Sequence, residues 1–266
     1  MRKYLEKPIV IQWNMKNNIY NNIIVKKVCE LTPIKLRFID PHSIEDFRII
    51  DEIIEYSSIQ HYQIEYDIAD LNIEEISYLE HQKLNFYIKF DIFEFDEIMR
   101  KKLVEILNKC EKAQILIYIT HKNIRETIEL VKWLYNENKA NIFYICPKKK
   151  VKNSLINTEE LHKAVTEFAR LYIECKDIKL SLYDEEKIVR DILDLNYYKY
   201  GNLYITSQGS VSLYKFLPDY EYGLTTETVS IIEVWKKICT DHLDDLDKIK
   251  NSQRYWFKYL YGGADE

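Results

Sequence analysis

Within about 175 residues, six short apolar runs each give way to a segment of helical character, and this alternation limits the chain more than any other feature. The runs lie at 9–13, 34–40, 62–68, 85–92, 115–120 and 142–146. Several are apolar at nearly every position, as in ILIYIT at 115–120, which suits a strand buried on both faces. Between them, 98–110 places Met99, Leu103, Ile106, Leu107 and Cys110 on one helical face, and 123–135 does the same with Ile124, Ile128, Val131 and Leu134. Strands alternating with helices imply a parallel sheet joined by right-handed crossovers. Six units are two short of a closed eight-fold barrel, so the expectation is an open or partial (β/α)6 barrel, with a doubly wound sheet as the alternative.

Helix starts support the count. Ser43, Asn72, Asn123 and Asn157 are each followed three residues later by an acid: Asp46, Glu75, Glu126 and Glu160. In that capping-box pattern the first side chain accepts from an orphan backbone N–H and the acid reaches back.

The character changes after residue 175. A strand is expected at 178–183 and a short amphipathic helix at 184–195. Runs at 202–206 and 211–216 flank SQGS, a hairpin signal with Gln208 and Gly209 in the turn. A helix at 229–239 and an aromatic segment at 255–261 follow. The expected division is therefore 1–175, the partial barrel, and 176–266, a smaller C-terminal α+β region.

Glycine and cysteine narrow the chemistry. All five glycines lie at or after Gly201, so the first two hundred residues have no phosphate-cradling loop and no dinucleotide fingerprint. The cysteines, Cys29, Cys110, Cys146, Cys175 and Cys239, form no C-x-x-C pair, which argues against a disulfide framework or a locally built zinc or cluster site. The formal net charge of -5 argues against a general nucleic-acid binder. No run approaches the about 18 uncharged apolar residues of a membrane span. The first twelve residues hold no small-residue cleavage site, so the expected location is cytoplasmic.

Two stretches carry a family resemblance. KPIVIQWNM at 7–15 resembles the first barrel strand of radical S-adenosylmethionine (SAM) enzymes of the peptide-modifying kind. GNLYITSQGSV at 201–211, with Gly223 and SIIEVW at 230–235, resembles the hairpin, glycine and tryptophan of their C-terminal SPASM or twitch extension. The resemblance implies a partial barrel in which the first strand leads into a C-x-x-x-C-x-x-C loop holding a [4Fe–4S] cluster.

Here that loop reads KNNIYNNI at 16–23, and asparagine and tyrosine do not replace thiolates as cluster ligands. Where the family carries GGEP after the second strand, this chain has IDPHS at 39–43. The first auxiliary-cluster cysteine would fall near Tyr214, and none is there. The chain thus looks like a pseudo-radical-SAM protein, of the type that accompanies active enzymes in the maturation of ribosomally made peptides. This implies no cluster, no cofactor and no catalytic residues. It also implies a precursor peptide, or an active partner enzyme, as the bound species.

Strand ends offer a second chemistry. Asn14, Asp40, Asp67 or Asp70, Asp91 and His121 stand at carboxyl ends, where parallel barrels carry their sites. The acids and the histidine could hold a divalent metal as in a barrel hydrolase, or they could simply cap helices and loops. Lys148, Lys149, Lys150 and Lys152 follow the sixth strand at the same face, where a basic loop would attract an acidic leader peptide. The candidate peptide- or partner-binding residues are therefore Lys148, Lys149, Lys150, Asp91 and His121. The aromatic tail, including Tyr255 and Trp256, is either a partner anchor or packing against the protein's own surface. No G-x-S-x-G accompanies Ser43, Ser207 or Ser210, so serine hydrolysis has no support.

Overall fold

The structure is a computed structural model of the 266-residue chain. It describes residues 4–72, 84–91, 96–110, 113–119, 124–137, 140, 142–147, 166–167, 170–171, 173–175, 178–182, 200–213 and 220–245. The strands in chain order are β1 (Val10–Asn14), β2 (Lys35–Ile39), β3 (His61–Asp67), β4 (Leu84–Asp91), β5 (Ala113–Ile119), β6 (Ile142–Pro147), β7 (Lys179–Leu182), β8 (Asn202–Ile205), β9 (Ser210–Ser212) and β10 (Tyr220–Gly223). The helices are α1 (Asn21–Leu31), α2 (Ile44–Tyr56), α3 (Glu97–Lys109), α4 (Ile124–Asn136) and α5 (Ile231–Asp241). All six strands expected in the first 175 residues are present. The chain forms two compact units, the first made of Met1–Glu65, His81–Leu84 and Asp184–Ser252, the second of Tyr66–Glu80, Asn85–Tyr183 and Gln253–Glu266.

In the first unit the strand order is β10-β9-β8-β1-β2-β3. β1, β2 and β3 run parallel, with Gln12 opposite Arg37 and Arg37 opposite Gln63. β8 is also parallel to β1, placing Asn202 opposite Val10, and β9 and β10 complete an antiparallel ribbon. The turn between β8 and β9 is closed by Gly209 N–H donating to Thr206 O at 3.0 Å, with Gly209 at φ 75, a region glycine enters without strain.

Side chains alternate across each strand. Ile11, Trp13, Leu36, Phe38, Tyr62 and Ile64 form the buried apolar face. Trp13 Nε1 donates to Asn21 at the start of α1, and Tyr62 Oη donates to Ile53 O in α2, so this face is the one the two helices cover. α2 begins with the capping box expected from the sequence: Ser43 Oγ accepts Asp46 N–H at 3.0 Å and Asp46 Oδ2 accepts Ser43 N–H at 3.1 Å. α1 has no side-chain cap and ends on Thr32 at φ 47, a left-handed position for a β-branched residue.

In the second unit β4-β5-β6-β7 are all parallel. Ile115, Leu116 and Ile117 on β5 are consecutive and fully buried, as a strand covered on both faces requires. α3 is capped by Asp96, whose Oδ1 accepts Met99 N–H at 2.8 Å. The change in composition at 175 and the compact units are different divisions of the chain, since β7 joins β6 and β8 joins β1.

Candidate functional site: the strand-end mouth of the first unit

At the carboxyl end of β1 the chain turns through residues 15–20 into α1, the place where the resemblance puts a cluster loop. Asparagines hold this turn closed. Asn14 Oδ1 accepts Lys16 N–H at 3.1 Å, and its Nδ2 donates to Tyr204 Oη at 3.3 Å. Asn18 Oδ1 accepts Tyr20 N–H at 2.9 Å, while its Nδ2 donates to Asn14 O at 3.3 Å and Thr206 O at 3.1 Å. Asn21 accepts from Trp13 Nε1 at 3.0 Å and donates to Asp46 Oδ1 at 2.6 Å. Asn18 and Asn21 are both buried. A carboxamide has a donor and an acceptor, so each residue ties two strands of the turn together, as a thiol would not.

The residues of this turn do not fit an iron–sulfur cluster. No cysteine lies between Val10 and Val28, and Cys29 sits in the last turn of α1, at the far end of the helix from this loop. Burial, with a smaller contribution from Glu30, pushes the Cys29 thiol above its ordinary range and away from the thiolate that ligation requires.

β2 is followed by Asp40, which is buried, sits at φ 48 and donates its N–H to Glu65 O at 2.8 Å. A glycine would occupy that backbone conformation without strain, whereas here an aspartate holds it. Asp67 Oδ1 accepts Ala69 N–H at 3.0 Å, the local turn bond of a loop-end aspartate. Asp91 is the last residue of β4, opposite Tyr118. Lys148, Lys149, Lys150 and His121 lie outside the described residues. Among the described residues, no three His, Cys, Asp or Glu side chains group as a metal site.

The sequence reading missed the polar face of the first sheet. Gln12, Lys35, Arg37, Gln63, Glu65, Asn202 and Ser212 are all buried and all point to the side opposite Trp13 and Phe38. Arg37 lies at the centre, 1% exposed. Its Nε and Nη2 both reach Gln63 Oε1 at 3.0 Å, its Nη1 reaches Gln12 Oε1 at 3.4 Å, and Glu65 Oε2 lies 3.6 Å away. A charge so deeply buried persists only when paired and hydrogen-bonded, and Arg37 is both. The available signal was the two-residue alternation of polar side chains in VIQWN, KLRFI and HYQIEYD.

A cavity of about 350 Å³ opens elsewhere in this unit, between α1 and the segment entering α5. Lys27 Nζ donates there to the carbonyls of Glu227 and Val229, fastening α1 to that segment.

No family model matches the chain, and no curated protein matches it. Solved structures do. One described as native anSMEcpe with bound AdoMet and Cp18Cys peptide superimposes with a TM-score of 0.60 over 86% of this chain and 80% of that one, at 10% identity. A mutant tryptophan synthase alpha-subunit from Pyrococcus furiosus gives a TM-score of 0.39 at 10% identity, over 75% of this chain and 87% of that one. The first superposition shows a shared fold, and the fold is the one expected: an α/β chain with a mostly parallel, unclosed sheet.

Proposed function

We propose that this chain is a cluster-free member of a peptide-maturation system, which binds a precursor peptide, an active partner enzyme, or both, and carries out no radical chemistry. The observation that carries the proposal is the turn after β1, where the asparagine bonds of Asn14, Asn18 and Asn21 close the backbone without any thiol. The peptide held by the similar anSMEcpe structure supports a peptide as the bound species. Lys148, Lys149 and Lys150, with Asp91 and His121, form the proposed receiving surface, and the basic loop would favour an acidic leader. The C-terminal stretch 176–266 is the proposed counterpart of a SPASM or twitch extension. No described helix is long and apolar enough to cross a membrane, and the proposed location is the cytoplasm.

Anaerobic reconstitution with iron and sulfide tests the first half of the proposal. The expected result is no charge-transfer absorbance, and one cluster per chain overturns it. Titration with any short peptide and any enzyme encoded by genes adjoining the chain's own tests the second half. Saturable binding weakened by Lys148→Glu is expected, and no binding of either that peptide or the neighbouring enzyme rejects it.

A further inference from the structure

The cavity of about 350 Å³ beside α1 has in its wall a buried positive charge with no negative counterpart. Lys27 lines it at 6% exposure. Two of the three N–H groups on its Nζ go to the carbonyls of Glu227 and Val229, residues that line the same space. A carbonyl accepts a hydrogen bond but cancels no charge. Among the described residues no carboxylate lies within ion-pair distance of this ammonium; Glu227 pairs with Lys26 instead. Buried charges in native proteins are paired as a rule, and here one N–H and the whole charge are left over.

A second source of positive potential meets it. α5 begins against the cavity, with Ser230, Ile231 and Ile232 in the wall, and Ser230 makes no side-chain capping bond. The first N–H groups of a helix have no partner within it, and the aligned peptide dipoles add roughly half an elementary charge at that end. An ammonium beside a helix start is a setting in which proteins hold anions. The rest of the lining selects among anions. Ile23, Leu31 and Ile232 supply apolar wall, so the occupant carries an aliphatic body. Glu30 and Glu227 also line the space and would repel a doubly charged group, whereas one negative charge balances one ammonium. The cavity is open to solvent on one side, where the Lys26–Glu227 pair stands at 3.7 Å with both side chains exposed. An exposed pair of that kind holds weakly and leaves the way in free.

We propose that this cavity is a binding site for a small monocarboxylate with an aliphatic chain. The carboxylate accepts from the remaining N–H of Lys27 Nζ and from the first-turn N–H groups of α5, while the chain lies against Ile23 and Ile232. The volume falls within the range of small-molecule pockets, about 300–1,000 Å³. The site uses none of the residues of the peptide-scaffold proposal, so either reading can fail without the other.

The test uses the full chain, with hexanoate as probe and hexylammonium and inorganic phosphate as controls at matched ionic strength. Thermal unfolding is followed against probe concentration in the millimolar range, because a ligand bound to the native state alone raises Tm in a saturable way. Hexanoate should raise Tm saturably and hexylammonium should not, while phosphate should need a concentration about tenfold higher for the same rise. Ile232→Glu sets a carboxylate at the start of α5, where an acid favours the helix, and leaves the Lys27 bonds in place. It should lose the response to hexanoate. Lys27→Met should lose it as well, and Ile232→Glu carries the test should the methionine variant fail to fold. A parent protein unmoved by hexanoate overturns the proposal. So does an equal rise with hexylammonium or phosphate, or a response to hexanoate that survives in Ile232→Glu.

Discussion

Arg37 gives two of its guanidinium nitrogens, Nε and Nη2, to one acceptor, Gln63 Oε1, at 3.0 Å each. The pair joins the middle of β2 to the middle of β3 on the face away from the helices, and Glu65 balances the charge. Removing a single member leaves a buried charge without its counterpart. Arg37→Met should lower unfolding stability by about 3–5 kcal/mol, whereas Arg37→Met combined with Glu65→Leu should recover most of it. Chemical denaturation of the three proteins measures both differences, and equal losses in the single and double variants would contradict the ion-pair account.

Asn21 carries the turn after β1. Its Oδ1 accepts from Trp13 and its Nδ2 donates to Asp46, so its two ends have opposite polarity requirements. Asn21→Ala should cost about 2–3 kcal/mol, as a buried indole N–H and a buried carboxylate each lose a partner. Asn21→Asp should cost more at pH 7, because it sets a second carboxylate against Asp46, and should regain stability when the pH is lowered towards 4. An Asn21→Asp variant as stable as the parent at pH 7 would show that the donor bond contributes nothing.

Thr32 closes α1 at φ 47 with an exposed side chain. A β-branched residue in the left-handed region is strained, and glycine is the preferred occupant of such a helix end. Thr32→Gly should raise stability by about 1 kcal/mol, read as a shift in the denaturation midpoint without a change of slope.

Tyr220 gives a pH dependence. Burial raises its phenol above the ordinary value near 10, and the hydrogen bond from its hydroxyl to Asp245 adds to the shift. In the unfolded chain the phenol ionises near pH 10, whereas in the folded chain it stays protonated. The stability it contributes is therefore complete below pH 10 and declines as the pH rises above that value. Tyr220→Phe should lower Tm at pH 8 yet lose less Tm than the parent between pH 9.5 and 11. Parallel pH profiles for the two proteins would refute this assignment.

Much of this architecture could be read in the sequence. The six barrel strands fall within a few residues of the apolar runs, because continuous burial leaves a local composition signal. The Ser43 box, the helix now bounded as Glu97–Lys109 and the Gln208–Gly209 turn were likewise local. What local reading missed has physical reasons. α1 starts at Asn21 with Tyr20 before it and no side-chain cap, so it carries no start signal. The pairing of β8 with β1 links residues far apart, and no neighbour in sequence encodes it. The polar face went unread because Gln12, Arg37 and Gln63 interrupt apolar runs and look like noise until three strands align in register. Of the site residues chosen from the sequence, Asp91 ends β4 as expected, while Lys148, Lys149, Lys150 and His121 lie outside the described residues.

The bond between Asn14 and Tyr204 spans 190 positions. A nascent chain therefore emerges with one long side of β1 bare, and the strand that covers it is made about 10–40 s later at ordinary translation speeds. During that interval an unpaired, apolar edge is open to neighbouring polypeptides. Production of this protein should accordingly depend on chaperone supply, and fragments ending before residue 202 should collect in inclusion bodies.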